Sequence, residues 1–385
     1  MRFFVGIILC ILLCVGLTAA AADSSSAPAD KSVANFHDAY QKWLDALAET
    51  AKLQSQLVAA PSSDREAVRL KFADAVHAAE AMLPDLQAAA EVAYAADDTN
   101  KDLANLMFVM AMGHLRKDNY EESLRLGRLL LEHHFAEKDK DLYRLLASSA
   151  FPTMQLEDAQ KFLDEAAGGK PADDPDLKSL VPLVEFYHRK WNREQQFRAD
   201  EAKADDLPRV KLHTTQGDIV VELFENEAPN TVANFINLVE RGFYDGTQFH
   251  RVIPGFVAQG GDPLSKEPAK YEGQIGHGGP GYSIPSESAA PNHREHFRGS
   301  LSMALGPEGP DSGGSQFYIA VAPAAPLDGK YTVFGRVIDG LDVLSKLQRF
   351  DPQKPTPGVT LDKITKAEVL SKREHPYEPK VLIRK

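Results

Sequence analysis

A chain of 385 residues exceeds one ordinary domain, so two or three domains are expected. Its formal charge of −12 argues against nucleic acid as a partner, and acidity of this size serves solubility. The apolar content of 43% is that of an ordinary globular protein.

Residues 1–22 read as an export signal. Arg2 supplies the positive start, Phe3 to Leu17 an apolar core, and Thr18-Ala19-Ala20-Ala21-Ala22 the small residues that suit cleavage. The apolar run is short for a membrane span, and Asp23-Ser24-Ser25-Ser26 follows at once, so membrane contact is expected only through an uncleaved signal. Both cysteines, Cys10 and Cys14, lie inside this signal, which leaves the mature chain without disulfide or thiol chemistry. Export without disulfides suits a bacterial envelope, so the expected location is periplasmic, cell-envelope or secreted.

Residues 23–35, rich in Ala, Ser, Asp and Pro, read as a flexible leader. A helical domain is expected over 36–204. Phe36, Tyr40, Trp43, Leu44 and Leu47 repeat on one helical face. Pro61-Ser62 breaks the chain, and Ser63 with Glu66 reads as a capping box ahead of a stripe at Val68, Phe72, Val76, Ala79 and Leu83. Pro84 and Asp97-Asp98-Thr99-Asn100 mark further breaks. Short turns precede both Tyr120-Glu121-Glu122 and Leu156-Glu157-Asp158, at a spacing close to the ~34-residue tetratricopeptide period. A tetratricopeptide-like array and a generic helical bundle both fit. A loop is expected over Ala167 to Pro175, then one more helix from about Asp176 to Lys203.

The period then changes. Val210 and Leu212, then Ile219, Val221 and Leu223, alternate on either side of Thr215-Gln216-Gly217-Asp218, which is a hairpin pattern. Pro229 opens a helix that turns Val232, Phe235, Ile236 and Val239 inward and ends at Gly242. Leu341, Leu344 and Leu347 suggest a second helix, and Ile364 to Leu370 a last strand. Few helices among many short strands predict a mainly β barrel stoppered by two helices over 207–370. The charged tail 371–385 follows.

Four ordered blocks carry the chemistry. Phe249-His250-Arg251-Val252-Ile253-Pro254-Gly255-Phe256-Val257-Ala258-Gln259 reads as one extended strand, bent or bulged at Pro254-Gly255. Leu301-Ser302-Met303-Ala304, Gly314-Ser315-Gln316-Phe317-Tyr318 and Leu327-Asp328-Gly329-Lys330-Tyr331 follow. Val257 and Gln259, like Gln316 and Tyr318, are two apart and share a strand face. In order and spacing these blocks resemble cyclophilin-type peptidyl-prolyl cis/trans isomerases, from roughly Leu207 to Leu370.

The resemblance implies a barrel that accelerates X–Pro rotation. Arg251 would be the catalytic residue, and Gln259 a hydrogen-bond partner of the substrate backbone. Phe256, Val257, Gln316, Tyr318, Leu327 and Tyr331 would line the proline slot, and Ala304 and Leu305 would pair with the peptide. His250 reads as buried and structural. Departures from the family pattern are Val257 for methionine, Leu305 for asparagine and Pro326 for an aromatic residue. They predict retained activity, altered substrate preference and weak cyclosporin binding.

Such chemistry needs no cofactor, and His277, His293 and His296 lack acidic partners at metal-ligand spacing. The glycine-rich run Gly273 to Gly281 is not followed by Gly-Lys-Ser/Thr, which sets aside a phosphate loop. The expected partners are proline-containing polypeptide clients, together with a protein partner on the helical domain. The competing reading is a non-catalytic proline-binding module or scaffold.

Overall fold

The computed structural model describes residues 29–133, 135, 139–168, 177–355 and 358–383. The expected export signal, residues 23–28 of the expected leader, most of the expected Ala167–Pro175 loop and the last two residues of the tail lie outside the described residues. The described residues divide into two compact units. One spans the chain to Gly113 with Glu122–Leu142; the other joins His114–Glu121 to Tyr143–Lys385.

The first unit is helical. Helix α1 (Ala29–Ala59) begins earlier than expected, because the alanine-rich end of the leader continues the helix that buries Phe36, Tyr40, Trp43 and Leu47. Helices α2 (Arg65–Ala81) and α3 (Leu83–Ala96) follow, with Pro84 in the first turn of α3. The capping box does not form. Asp64 holds the N-cap of α2 without a side-chain bond, and Glu66 reaches forward to Arg69. Helix α4 (Lys101–Arg116) is capped by Asn100, whose side chain accepts from the Asp102 and Leu103 amides. Helix α5 (Tyr120–Glu132) follows the first of the two short turns.

Helices α6 (Lys140–Ala150), α7 (Leu156–Ala166) and α8 (Leu180–Ala204) lead into the sheet. Tyr187 and Trp191 of α8 pack on the Phe297 ring at 5.5 and 5.1 Å. Arg294, its side chain fully buried, bonds Glu194 at 3.0 Å and Glu201 at 2.5 Å. Its guanidinium lies 3.8 Å from the Phe224 ring centroid. A buried charge set of this kind is destabilising if broken and fixes the seat of α8. Residues 143–204 therefore pack in the same compact unit as the sheet, although the secondary structure changes from helix to strand near 204–207.

Eight strands form one curled antiparallel sheet: β1 (Arg209–Thr214), β2 (Gly217–Leu223), β3 (Arg251–Ile253), β4 (Val257–Gly260), β5 (Ser300–Met303), β6 (Phe317–Ala320), β7 (Val333–Asp339) and β8 (Ile364–Ser371). Their order is β3-β4-β6-β5-β7-β2-β1-β8. The two edges approach each other where Gln248, just before β3, bridges Lys363, just before β8. Helix α9 (Pro229–Glu240) buries Val232, Phe235, Ile236 and Val239 as its period predicts. The second stopper is the single turn α10 (Val343–Lys346), shorter than the leucine spacing suggested, with Leu344 and Leu347 still buried.

The charged tail is packed rather than free. Tyr377 is buried and donates to Glu225 at 2.9 Å, Arg373 pairs with Asp206 at 3.0 Å, and Leu382 bridges Ser283. Among the described residues no helix is long and apolar enough to cross a membrane.

Candidate functional site

The expected single strand through Arg251 and Gln259 is in fact a hairpin. Phe256 N–H donates to Ile253 O at 3.1 Å, and Gly255 takes φ +65°, so Ile253–Phe256 is a turn with Pro254 and Gly255 at its centre. Proline presets the first of these positions and glycine tolerates the second, so the chain reverses instead of bending. The reversal sets Arg251 opposite Gln259 in the ladder. It thereby resolves the odd spacing between Arg251 and Phe256.

The register extends this pairing into a row. Gln259 stands opposite Tyr318, and Tyr318 opposite Ser302, so Arg251, Gln259, Tyr318 and Ser302 project from one face of four adjacent strands. The alternate residues Val252, Ala258, Ile319 and Leu301 project from the other face into the barrel core. One face of these strands thus packs into the core, and on the other Arg251 and Gln259 are part-exposed while Tyr318 and Ser302 are buried.

Side-chain amides tie the row together. Arg251 Nη1 lies 3.4 Å from Gln259 Oε1, a long contact, and Gln259 Nε2 donates to Gln316 Oε1 at 3.1 Å. Gln316 Nε2 in turn donates to the carbonyls of Gly276 and Gly278 at 3.0 and 2.9 Å. Asp262 accepts from the amides of the same two glycines. The glycine-rich segment is therefore a wall fixed by Gln316 and Asp262. Gly261, beside it at φ +84°, has no room for a Cβ, which would lie 2.5 Å from Ser315 O.

Arg251 is half-buried, with its Cζ 5.5 Å from the Phe256 ring centroid. Among the described residues it has no ion-pair partner, and the Gln259 contact leaves most of its donors free. Tyr331 meets Tyr318 edge-on at 5.9 Å, so these two rings adjoin. Leu327 is half-buried next to Asp328. Ala304 N–H donates to Gln316 O at 2.9 Å and continues the β5–β6 ladder. Two residues differ in character. Val257 is only 1% exposed and offers little surface, and the Leu305 side chain packs on the barrel core, leaving its backbone for any peptide.

Sequence reasoning missed the support beneath Tyr318. Its hydroxyl lies 2.9 Å from His296 Nε2, and His296 Nδ1 lies 2.8 Å from Asp328 Oδ1. A carboxylate only accepts, so Nδ1 donates to Asp328, and Nε2 shares the second hydrogen bond with the Tyr318 hydroxyl. Tyr187 of α8 also donates to His296 O at 3.0 Å. Burial, the dominant influence, raises the Tyr318 pKa. The Leu327-Asp328-Gly329 block held the signal, but only the fold brings it to His296. His250 is buried, as expected, and among the described residues neither ring nitrogen makes a hydrogen bond of good geometry. Burial lowers its pKa against the opposing pull of Asp262. Among the described residues no three His, Cys, Asp or Glu side chains form a group able to hold a metal ion.

A family model for "Cyclophilin type peptidyl-prolyl cis-trans isomerase/CLD" matches residues 209–369. A peptidyl-prolyl cis-trans isomerase of Helicobacter pylori (strain ATCC 700392 / 26695) is 44% identical over 156 residues, covering 39% of this chain and 88% of that protein. Peptidyl-prolyl cis-trans isomerase B of Bacillus subtilis (strain 168) is 47% identical over 136 residues, covering 35% of this chain and 87% of the relative. Among solved structures, a Cryptosporidium parvum cyclophilin-type isomerase crystallised in the presence of the dipeptide Ala-Pro is 32% identical. It covers 43% of this chain and 99% of its own, with a TM-score of 0.37.

Proposed function

We propose that this chain, which belongs to the cyclophilin-type peptidyl-prolyl cis/trans isomerases, turns X–Pro bonds with Arg251 as the fixed donor and an apolar slot at Phe256, Tyr318 and Tyr331. The uncatalysed rotation crosses a barrier of about 20 kcal/mol set by amide resonance. At the twisted transition state the proline nitrogen regains its lone pair and the carbonyl leaves the amide plane. A catalyst therefore has to hold the ring and favour the twisted amide, with no covalent step.

The observation that carries this reading is Arg251 itself. Among the described residues it is a half-buried arginine without an acidic partner, set beside the Phe256 ring and in polar contact with the Gln259 amide oxygen. Arg209 and Arg373 spend their donors on carboxylates, and Arg65 and Arg193 reach backbone carbonyls. Arg251 instead keeps a planar fork of donors free for a peptide. Gln259, fixed at its other end by Gln316, is placed to bind the peptide backbone. Buried Val257 supports the slot from beneath, Leu327 contributes as its rim, and Ala304 and Leu305 contribute through their backbone.

The clients proposed are proline-containing segments of exported proteins. The export half of this proposal rests on Arg2, the apolar run Phe3 to Leu17 and the alanines before Asp23. N-terminal sequencing together with cell fractionation tests it: a start near Asp23 in the exported fraction supports export, and recovery of the protein in the cytosol alone removes it. The helical residues 36–204 are proposed to offer a face for a client or a fixed protein partner. Pull-down with the full chain tests that point: substitutions on exposed Val58 and Leu70 should lower partner capture while leaving the isomerase rate unchanged, and unchanged capture removes it.

Exchange NMR on a short Ala-Pro peptide tests the mechanism, with wild-type and Arg251→Ala protein side by side. Rapid cis/trans exchange that collapses in the variant supports it. Peptide shifts without exchange in the wild type would leave a proline-binding module, and full exchange in the variant would remove Arg251 from the mechanism.

A further inference from the structure

The turn that carries Phe256 has a polar group its own hairpin does not satisfy. In a turn with proline and a positive-φ glycine at its centre, the glycine N–H points away from the ladder. Gly255 is that residue, and its N–H donates to Asp118 Oδ1 at 2.9 Å. Asp118 lies outside the segment that resembles the isomerase family, in the turn between α4 and α5, within the same compact unit as the sheet.

Asp118 is itself tightly held. It is 3% exposed and adopts φ +61°, a left-handed conformation that aspartate tolerates better than most residues. Tyr120 donates its hydroxyl to Oδ1 at 2.9 Å, and Arg349 Nη2 donates to Oδ2 at 2.6 Å and to Lys117 O at 2.7 Å. Tyr120 is buried in the barrel core cluster, with Arg298 5.1 Å from its ring and paired to Glu121. Phe350, next to Arg349, exchanges both backbone bonds with Val252 of β3, at 2.8 and 3.1 Å. The hairpin edge is thus flanked along its strand by Phe350 and at its tip by Asp118, and both contacts converge on Arg349.

We infer that Asp118 is a positioning residue for isomerisation: by holding the Gly255 amide it fixes the Pro254-Gly255 turn and hence the placement of Phe256 beside Arg251. This rests on the reading of Arg251 and Phe256 given above. Without that anchor the turn can rotate about its tip, and Phe256 sits at its last position. A misplacement of about 1 Å in a preorganised site can cost up to ~10²-fold in rate. The turn is one step removed from the reacting bond, so about a tenfold loss is expected, in kcat rather than KM, because the peptide still finds its slot.

Asp118→Gly and Asp118→Asn form the test, with Arg251→Ala in parallel. Glycine suits the φ of residue 118 while deleting the acceptor; asparagine keeps an acceptor oxygen. Asp118→Gly should lower kcat about tenfold with KM within about twofold, and should move the Gly255 amide resonance. Asp118→Asn should recover most of the kcat and keep that resonance in place. Wild-type kcat in Asp118→Gly, alongside a dead Arg251→Ala, would overturn the inference alone. An active Arg251→Ala would instead overturn the reading beneath it. Should Asp118→Gly not fold, amide exchange in the wild type decides. Gly255 is exposed at the turn tip, so slow exchange of its N–H supports the anchor, and exchange at the rate of a free turn amide overturns it.

Discussion

The β1–β2 hairpin carries Val210, Leu212, Ile219 and Val221 on one face, all fully buried, and closes through Thr215 and Gln216. The β3–β4 hairpin has three residues in one strand and four in the other, and its tip and flank are fixed by groups distant in sequence: Asp118, Phe350 and Gln316. The first is held by burial of its own alternating side chains. The second is short, buries Val252, Val257 and Ala258 but exposes Arg251, Phe256 and Gln259 in part, and adds polar anchors to that burial. The difference separates two ways of fixing a hairpin. Apolar alternation holds the first, and long-range polar anchors hold the second, which carries the proposed site.

The comparison can be broken first at Arg251. Arg251→Ala should lower the isomerase rate about 10²–10³-fold, the scale for loss of one preorganised donor, in a protease-coupled or exchange assay. The reverse case is Ile219→Ala, which opens a cavity under β2. It should cost about 2–5 kcal/mol in urea unfolding while leaving the rate per folded molecule unchanged. A rate loss matching that of Arg251→Ala would erase the distinction between the hairpins.

Tyr318→Phe sits between these cases. It keeps the ring against Tyr331 but leaves His296 Nε2 buried without a partner. A cost of about 1–3 kcal/mol in stability is expected, with the rate changed far less than in Arg251→Ala.

The smallest effect is a pH dependence at His250, whose pKa is depressed by burial. The unfolded chain takes up this proton below about pH 6.5, whereas folded His250 resists it to lower pH. A depressed pKa on a base therefore contributes stability above that range, which is lost as pH falls. The slope is at most about 1.4 kcal/mol per pH unit for one proton. The urea midpoint should fall from pH 7.5 to 5.5, and His250→Gln should flatten that fall. Equal slopes in both proteins would remove the assignment.

What the sequence disclosed follows the same division. The β1–β2 pattern, the inward residues of α9 and the blocks around Arg251, Gln316 and Tyr331 were legible, since each depends on local alternation, helical period or a compact motif. The hairpin between Arg251 and Gln259 was read as one strand, because Pro254-Gly255 permits either a bend or a reversal and only the ladder decides. The capping box at Ser63 failed because Glu66 found Arg69 instead. The Tyr318–His296–Asp328 chain and the Asp118 anchor were invisible, since each joins residues far apart in sequence by a bond that no periodicity encodes.

The most direct test pairs two readings on one protein: isomerase rate and urea midpoint for Arg251→Ala against wild type. The account predicts a rate about 10²–10³-fold lower at an unchanged midpoint. A wild-type rate at that same midpoint would contradict it.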